Sequence, residues 1–182
     1  VPVFSSSSTR FGAGLVGLEG NKELGDLLGA TTWGPCSYQS GTPDLFFYAI
    51  HGVEALYTIM GTGCETVSRV KGPVHDQVTG TWQDGRLGVY RGIVKGKAGF
   101  GATVYGSNGI VQVSESPNYG LLCHEIAKFF RSGVPPVSEE ETLELLTFME
   151  AADESIRQGG KAVSIKEVFA KAKEEAAKLG GE

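Results

Sequence analysis

The residues best suited to moving a proton lie in one stretch, DLFFYAIHGVEALYTIMG, beginning at Asp44. Read as a helix, it places Asp44, Phe47, His51, Glu54 and Thr58 along one stripe, opposite an apolar stripe of Ala49, Val53, Leu56 and Met60. Histidine is the side chain whose ordinary pKa lets it exchange a proton near neutral pH. Glu54, one turn beyond His51, would favour the imidazolium and raise that pKa, and Asp44 stands about two turns before it. Such a histidine can take a proton from a substrate hydroxyl. The same spacing also suits a buried histidine bonded to a neighbouring strand, and spacing alone does not separate the two readings.

Other candidates are weaker. Gly12, Gly14 and Gly17 match GxGxxG, but a phosphate-binding loop needs its glycines directly after a strand and an acid about 20 residues further on. Here Ser5 to Phe11 intervenes and the stretch Ala30 to Tyr38 holds no acid, so the motif reads as a helix entry. His75 and His124 stand apart from His51 with no metal-ligand spacing, so no metal site is expected. Asp44, Tyr48, Trp33, Tyr38 and Arg10 are the further candidates for substrate contact; Trp82, Tyr90 and Arg91 suit a ligand or an interface, and for these three, as for Trp33 and Tyr38, an ordinary place on the sheet is the alternative. Cys36, Cys64 and Cys123 are odd in number and lack CxxC spacing; they read as buried, reduced thiols.

These residues must be carried by a chain of 182 residues, 41% of them hydrophobic, which is enough for one well-buried core. The net charge of -5, with Lys and Arg scattered, argues against nucleic acid or an anionic membrane and favours a small polar ligand. No run approaches the ~18 apolar residues of a membrane helix. The chain opens on Val1 with no signal-peptide pattern, which suggests a fragment; a cytoplasmic location is expected, although an export signal could have been lost with an upstream part.

The opening VPVF reads as a strand and Phe11 to Leu28 as a helix. GATTWGPCSY reads as a second strand, and Thr42, Pro43 and Asp44 give a helix start, with Thr42 as N-cap and the helix running to Met60. From Cys64 to Glu115 short alternating strands are separated by turns such as Asp84-Gly85 and Asn108-Gly109, which predicts an antiparallel sheet of five to seven strands. Leu87, Val89 and Ile93 share one face of their strand and Tyr90 and glycines the other, so the apolar face is expected to lie under helices. Those helices are a segment carrying Leu122, Ile126, Phe129 and Phe130, one opened by the capping box Ser138/Glu141 and stopped at Gly159-Gly160, and one opened by Ser164/Glu167.

Taken together, FSSSSTRF, GATTWGPCSY, IHGVEALYTIMG, WQDGRLGVYRG and ETLELLTFMEAADESIRQGG resemble, in order and spacing, the second half of the glucose-fructose oxidoreductase and inositol dehydrogenase (Gfo/Idh/MocA) family. The resemblance covers nearly the whole chain. It implies an α+β fold, an open, mainly antiparallel sheet covered on one face by helices. Residues 1–28 would be the last strand and connecting helix of an otherwise missing Rossmann domain, and 29–182 the substrate-binding and oligomerisation domain. It further implies NAD or NADP in the full-length parent, none in this chain alone, and a homo-oligomer formed through the open sheet face. His51 falls at the position of the family's proton-transferring histidine; the usual acid four residues earlier is Phe47 here, and the family's Glu-Lys-Pro lysine is not in this sequence. A sugar, polyol or related hydroxy compound is the implied substrate. The alternative is a non-catalytic binding or dimerisation module of the same fold.

Overall fold

The computed structural model describes residues 2–18, 21–115 and 117–179. Its strands are β1 (Leu27–Pro35), β2 (Cys64–Lys71), β3 (His75–Trp82), β4 (Leu87–Ile93), β5 (Phe100–Gly106), β6 (Ile110–Glu115) and β7 (Val163–Ser164). The helices are α1 (Ala13–Val16), α2 (Asp44–Phe47), α3 (Ile50–Met60), α4 (Tyr119–Ser132), α5 (Glu139–Arg157) and α6 (Ile165–Leu179), with a 3-10 turn at Ser8–Phe11. The strands form one sheet in the order β6-β5-β1-β4-β3-β2-β7. Every neighbouring pair is antiparallel except β1 and β4. This is an α+β fold with an open sheet carrying helices on one face.

The covered face of β4 is the reverse of the one its apolar residues suggest. Gly88, Tyr90 and Gly92 are buried beneath the helices, whereas Leu87 is exposed and Val89 and Ile93 are half-buried on the open side. Glycine lets a neighbour approach closely: a Cβ on Gly88 would meet the Trp82 ring, and one on Gly92 would meet Cys36. The same device recurs on α3. There Gly52 sits against Tyr90, its carbonyl accepts from Thr32 Oγ1 at 3.0 Å, and a Cβ would lie 2.2 Å from the Tyr90 ring. In an exposed helix Gly52→Ala would stabilise, since alanine is the better helix former. Here the overpacking of a fully buried ring dominates, and the expected result is a net loss of about 1–3 kcal/mol, read as a lower denaturant midpoint.

The stripe Ala49, Val53, Leu56 and Met60 is buried as its spacing requires, packing with Tyr57, Trp82, Phe148 and Met149 into the main core. Helix α5 starts at Ser138, whose hydroxyl accepts from the Glu141 N–H at 3.1 Å, and ends at Gly159 and Gly160, both with positive φ. Its Glu144 carboxylate accepts from the N–H groups of Gly63 and Cys64 at 2.9 Å, pinning α5 to the turn between α3 and β2.

Four local expectations are corrected. The helix beginning at Asp44 has Pro43, not Thr42, at its N-cap and breaks at Tyr48 (φ -133), giving α2 and α3. The stretch from Phe11 to Leu28 forms only the 3-10 turn, α1 and turns before β1 begins at Leu27; its residues 19 and 20 lie outside the described residues. The opening segment, described from Pro2, makes no strand because no sheet edge lies beside it to complete its backbone bonds. Helix α4 covers no part of the sheet, has no buried residue and packs on the 3-10 turn, with Phe129 meeting Phe4 edge-on at 5.1 Å; the sheet face is already filled by α3 and α5. Cys123, on α4, is accordingly exposed.

Candidate functional site

His51 is the second residue of α3, just past the break at Tyr48. The polar run before the 3-10 turn folds over it. Ser7 caps that turn by accepting from the Thr9 N–H at 3.2 Å. Ser7 Oγ lies 2.9 Å from His51 Nδ1 and 2.8 Å from Thr9 Oγ1, and Thr9 Oγ1 donates to the His51 carbonyl at 2.9 Å. Two aromatic rings stand against the imidazole, Tyr48 at 5.1 Å and Phe100 at 6.2 Å, each near perpendicular to it. Tyr48 therefore does stand beside His51, and Phe100, at the start of β5, completes the wall.

Glu54 is buried and bonded away from the imidazole. Its Oε1 accepts from Arg10 Nε at 2.8 Å and from Ser6 Oγ at 3.0 Å, while the other arm of Arg10 reaches Glu141 on α5. Arg10 thus clamps the opening segment to α3 and α5. Burial pushes the His51 pKa below the ordinary histidine value, and the Glu54 charge opposes that shift without reversing it. The raised pKa that helical spacing suggests is thereby corrected: desolvation outweighs the Glu54 charge.

A stability consequence follows. With the folded pKa depressed below the unfolded value of 6.5, the unfolded chain takes up the proton first, so this contribution is full above 6.5 and is lost as pH falls through the folded pKa. Between about pH 7.5 and about pH 5.5 the urea midpoint should fall, and His51→Gln should flatten that dependence. An unchanged slope in the variant would mean that His51 does not carry it.

The other predicted contacts disperse. Asp44 and Tyr38 join a cluster around Arg69, whose Nε donates to Asp76 Oδ1 at 2.9 Å and which also reaches Asp44 and Asp153. Tyr38 donates to Asp76 Oδ2 at 2.8 Å, and Lys71 pairs with Asp44 while lying over the Tyr38 ring. These two side chains brace the fold instead of facing His51. Trp33 follows Thr32, which points to α3, so by strand alternation it projects from the open face over Gly101, opposite His51. Burial raises the thiol pKa of Cys36 and, with the nearby Glu144 charge, pushes that of Cys64 up to about 12, so neither is a nucleophile near neutral pH.

Ser7, Thr9 and Phe100 were missed as site residues. The density of hydroxyls in SSSST was the available signal, but pairing across more than 40 residues leaves no trace in local spacing. Gly12 caps the four-residue α1, with no strand leading into it, so the glycine motif builds no dinucleotide cradle. Among the described residues no cluster of His, Cys, Asp or Glu could hold a metal ion, and no helix is long and apolar enough to cross a membrane.

No protein-family model and no curated protein matches the sequence. Solved structures do match in fold. One, described as an NADPH-dependent oxidoreductase of Desulfitobacterium hafniense, superposes with a TM-score of 0.75 at 15% identity, over 93% of this chain and 66% of its own. The scyllo-inositol dehydrogenase of Lactobacillus casei, solved with NAD(H) and scyllo-inositol, gives 0.70 at 12% identity, over 87% and 63%. The myo-inositol 2-dehydrogenase of Lactobacillus plantarum gives 0.69 at 13% identity, over 86% and 63%. The chain thus spans less than two thirds of the length of these structures.

Proposed function

We propose, from the premise that this chain has the fold of the carboxy-terminal domain of Gfo/Idh/MocA-type oxidoreductases, that it is the substrate-side part of a nicotinamide-dependent oxidoreductase acting on a sugar, polyol or related hydroxy compound. The observation that carries this reading is His51: a half-buried imidazole, packed against Tyr48 and Phe100, with Nδ1 against Ser7. Nε2, with no hydrogen-bond partner among the described residues, is left to meet a substrate hydroxyl. Glu54 sets the local field while Arg10 and Ser6 hold it, so Arg10 acts as a brace and the substrate contacts come from Tyr48 and Phe100. NAD or NADP supplies hydride transfer in this class of enzyme, and the residues present here do not fit it, so the Rossmann domain that would hold the nicotinamide is the missing partner. Residues 1–28 would lead in from that domain, and 29–182 would form the substrate-side unit.

The chain alone is accordingly read as inactive. Titrated with NADH and NADPH, it should give no saturable change in nicotinamide fluorescence, whereas the complete protein should bind and reduce NAD or NADP with a polyol or sugar. Tight cofactor binding by this chain alone would overturn the assignment and return attention to Gly12, Gly14 and Gly17.

A second reading, a binding or dimerisation module, is favoured by the open sheet face, where Val70, Leu87 and Tyr105 are exposed. Dimerisation fits both readings; a module without catalysis is the point on which they part, and turnover of the complete protein separates them. Self-association through that face should appear as a dimer or larger species in solution-mass measurements, lost in Leu87→Lys.

A further inference from the structure

The hydrogen bonds around His51 determine which of its nitrogens carries the proton. The His51 carbonyl can only accept, so the single hydroxyl proton of Thr9 is committed to it. Thr9 Oγ1 must then accept from Ser7 Oγ, which commits the only proton of Ser7. Ser7 Oγ meets Nδ1 as an acceptor, and Nδ1 bears the hydrogen. The count closes on Ser7: its oxygen donates to Thr9 and accepts from Nδ1–H and from the Thr9 N–H, which uses its full capacity. A neutral imidazole has one N–H, so Nε2 keeps a bare lone pair.

We propose that Ser7 and Thr9 are positioning residues that lock His51 in its Nδ1–H tautomer and aim the basic Nε2 outward. Neither of them touches the reacting atoms. Among the described residues no carboxylate bonds to the imidazole, and Glu54 is turned to Arg10 and Ser6, so two hydroxyls in series do the work that a carboxylate does elsewhere. The end of that series is anchored on a backbone carbonyl of the same helix. Ser7 and Thr9 are both buried, which keeps water from competing for Nδ1.

The use of Nε2 as a base rests on the function proposed above, but the tautomer does not, and the test reads the tautomer itself. The chain, labelled with 15N at its histidines, is measured by long-range 1H–15N correlation at about pH 8, where a histidine of ordinary or lowered pKa is neutral. The His51 signals are assigned by their loss in His51→Gln. The expected pattern is a protonated-type Nδ1 and an unprotonated-type Nε2. Ser7→Ala removes the acceptor and should shift His51 toward the Nε2–H form, with loss of the unprotonated-type Nε2 signal. Thr9→Val removes the acceptor of the Ser7 proton, freeing that proton to turn to Nδ1, and should move the tautomer the same way. Ser7→Thr keeps the hydroxyl and should retain the wild-type pattern. Amide dispersion reports folding in each case, and if Ser7→Ala fails to fold, Thr9→Val carries the test. An Nε2–H tautomer in the wild-type chain, or an unchanged tautomer in folded Ser7→Ala and Thr9→Val, overturns the assignment. Because turnover is not the readout, failure of the oxidoreductase reading would leave this result standing, and failure here is told apart from failure of that reading, which turnover and cofactor binding report.

Discussion

Arg69→Met should cost about 3–5 kcal/mol of folding stability. Arg69 is 1% exposed and lies diagonally across the β2–β3 pair from Asp76, which is 0% exposed. Removing the guanidinium leaves that carboxylate with the Tyr38 hydroxyl at 2.8 Å and the Cys36 thiol at 4.0 Å as its side-chain partners. An uncompensated buried charge is expensive, whereas removal of both partners is far cheaper. A second substitution, Asp76→Leu, added to Arg69→Met should therefore recover a large part of the loss. Arg157, which pairs with Glu150 and Glu154 on the exposed side of α5, is the contrast. Arg157→Ala should cost under about 1 kcal/mol, since such surface pairs are screened and mobile. Urea denaturation of the four proteins checks the set. A loss below about 1 kcal/mol in Arg69→Met would mean that the cluster is not the brace described here.

That cluster also marks the limit of what spacing reveals. Helices α3, α5 and α6 were legible because their apolar periodicity and capping boxes are local, and His51 and Glu54 were legible because they share one helical stripe. The sheet was legible from its turns. Its covered face was not: hydrophobicity put Leu87, Val89 and Ile93 inside, but the need for Tyr90 and Trp82 to nest on glycines turned β4 over. Helix α4 shows the converse, a clear amphipathic pattern that local signals place on the core and tertiary structure leaves outside it. Asp44 and Tyr38 fell in the right segments but were drawn to Arg69 and Asp76 respectively, 25 and 38 residues away, and Ser7 reached His51 across 44 residues. Partner choice at such separations is a property of the packed chain, which composition and period do not encode.

Under the function proposed above, His51→Gln, made in the protein that carries the cofactor-binding part, is the second large effect expected. A positioned general base contributes roughly 10²–10⁴-fold to rate, and the amide that replaces it cannot accept a proton. It still packs against Tyr48 and Phe100 and can donate to Ser7. Binding should therefore be largely kept and chemistry lost, so the fall should lie in kcat with little change in KM. The wild-type kcat should also decline on the acid side as Nε2 is protonated, below the ordinary histidine pKa because burial depresses it. The measurement that decides the account is the turnover of a polyol or sugar, followed as formation of reduced nicotinamide, for wild type and His51→Gln side by side. The expected result is a kcat lowered by about 10²–10⁴-fold with the acid limb abolished; undiminished turnover in the variant would contradict a catalytic role and leave His51 a structural residue of α3.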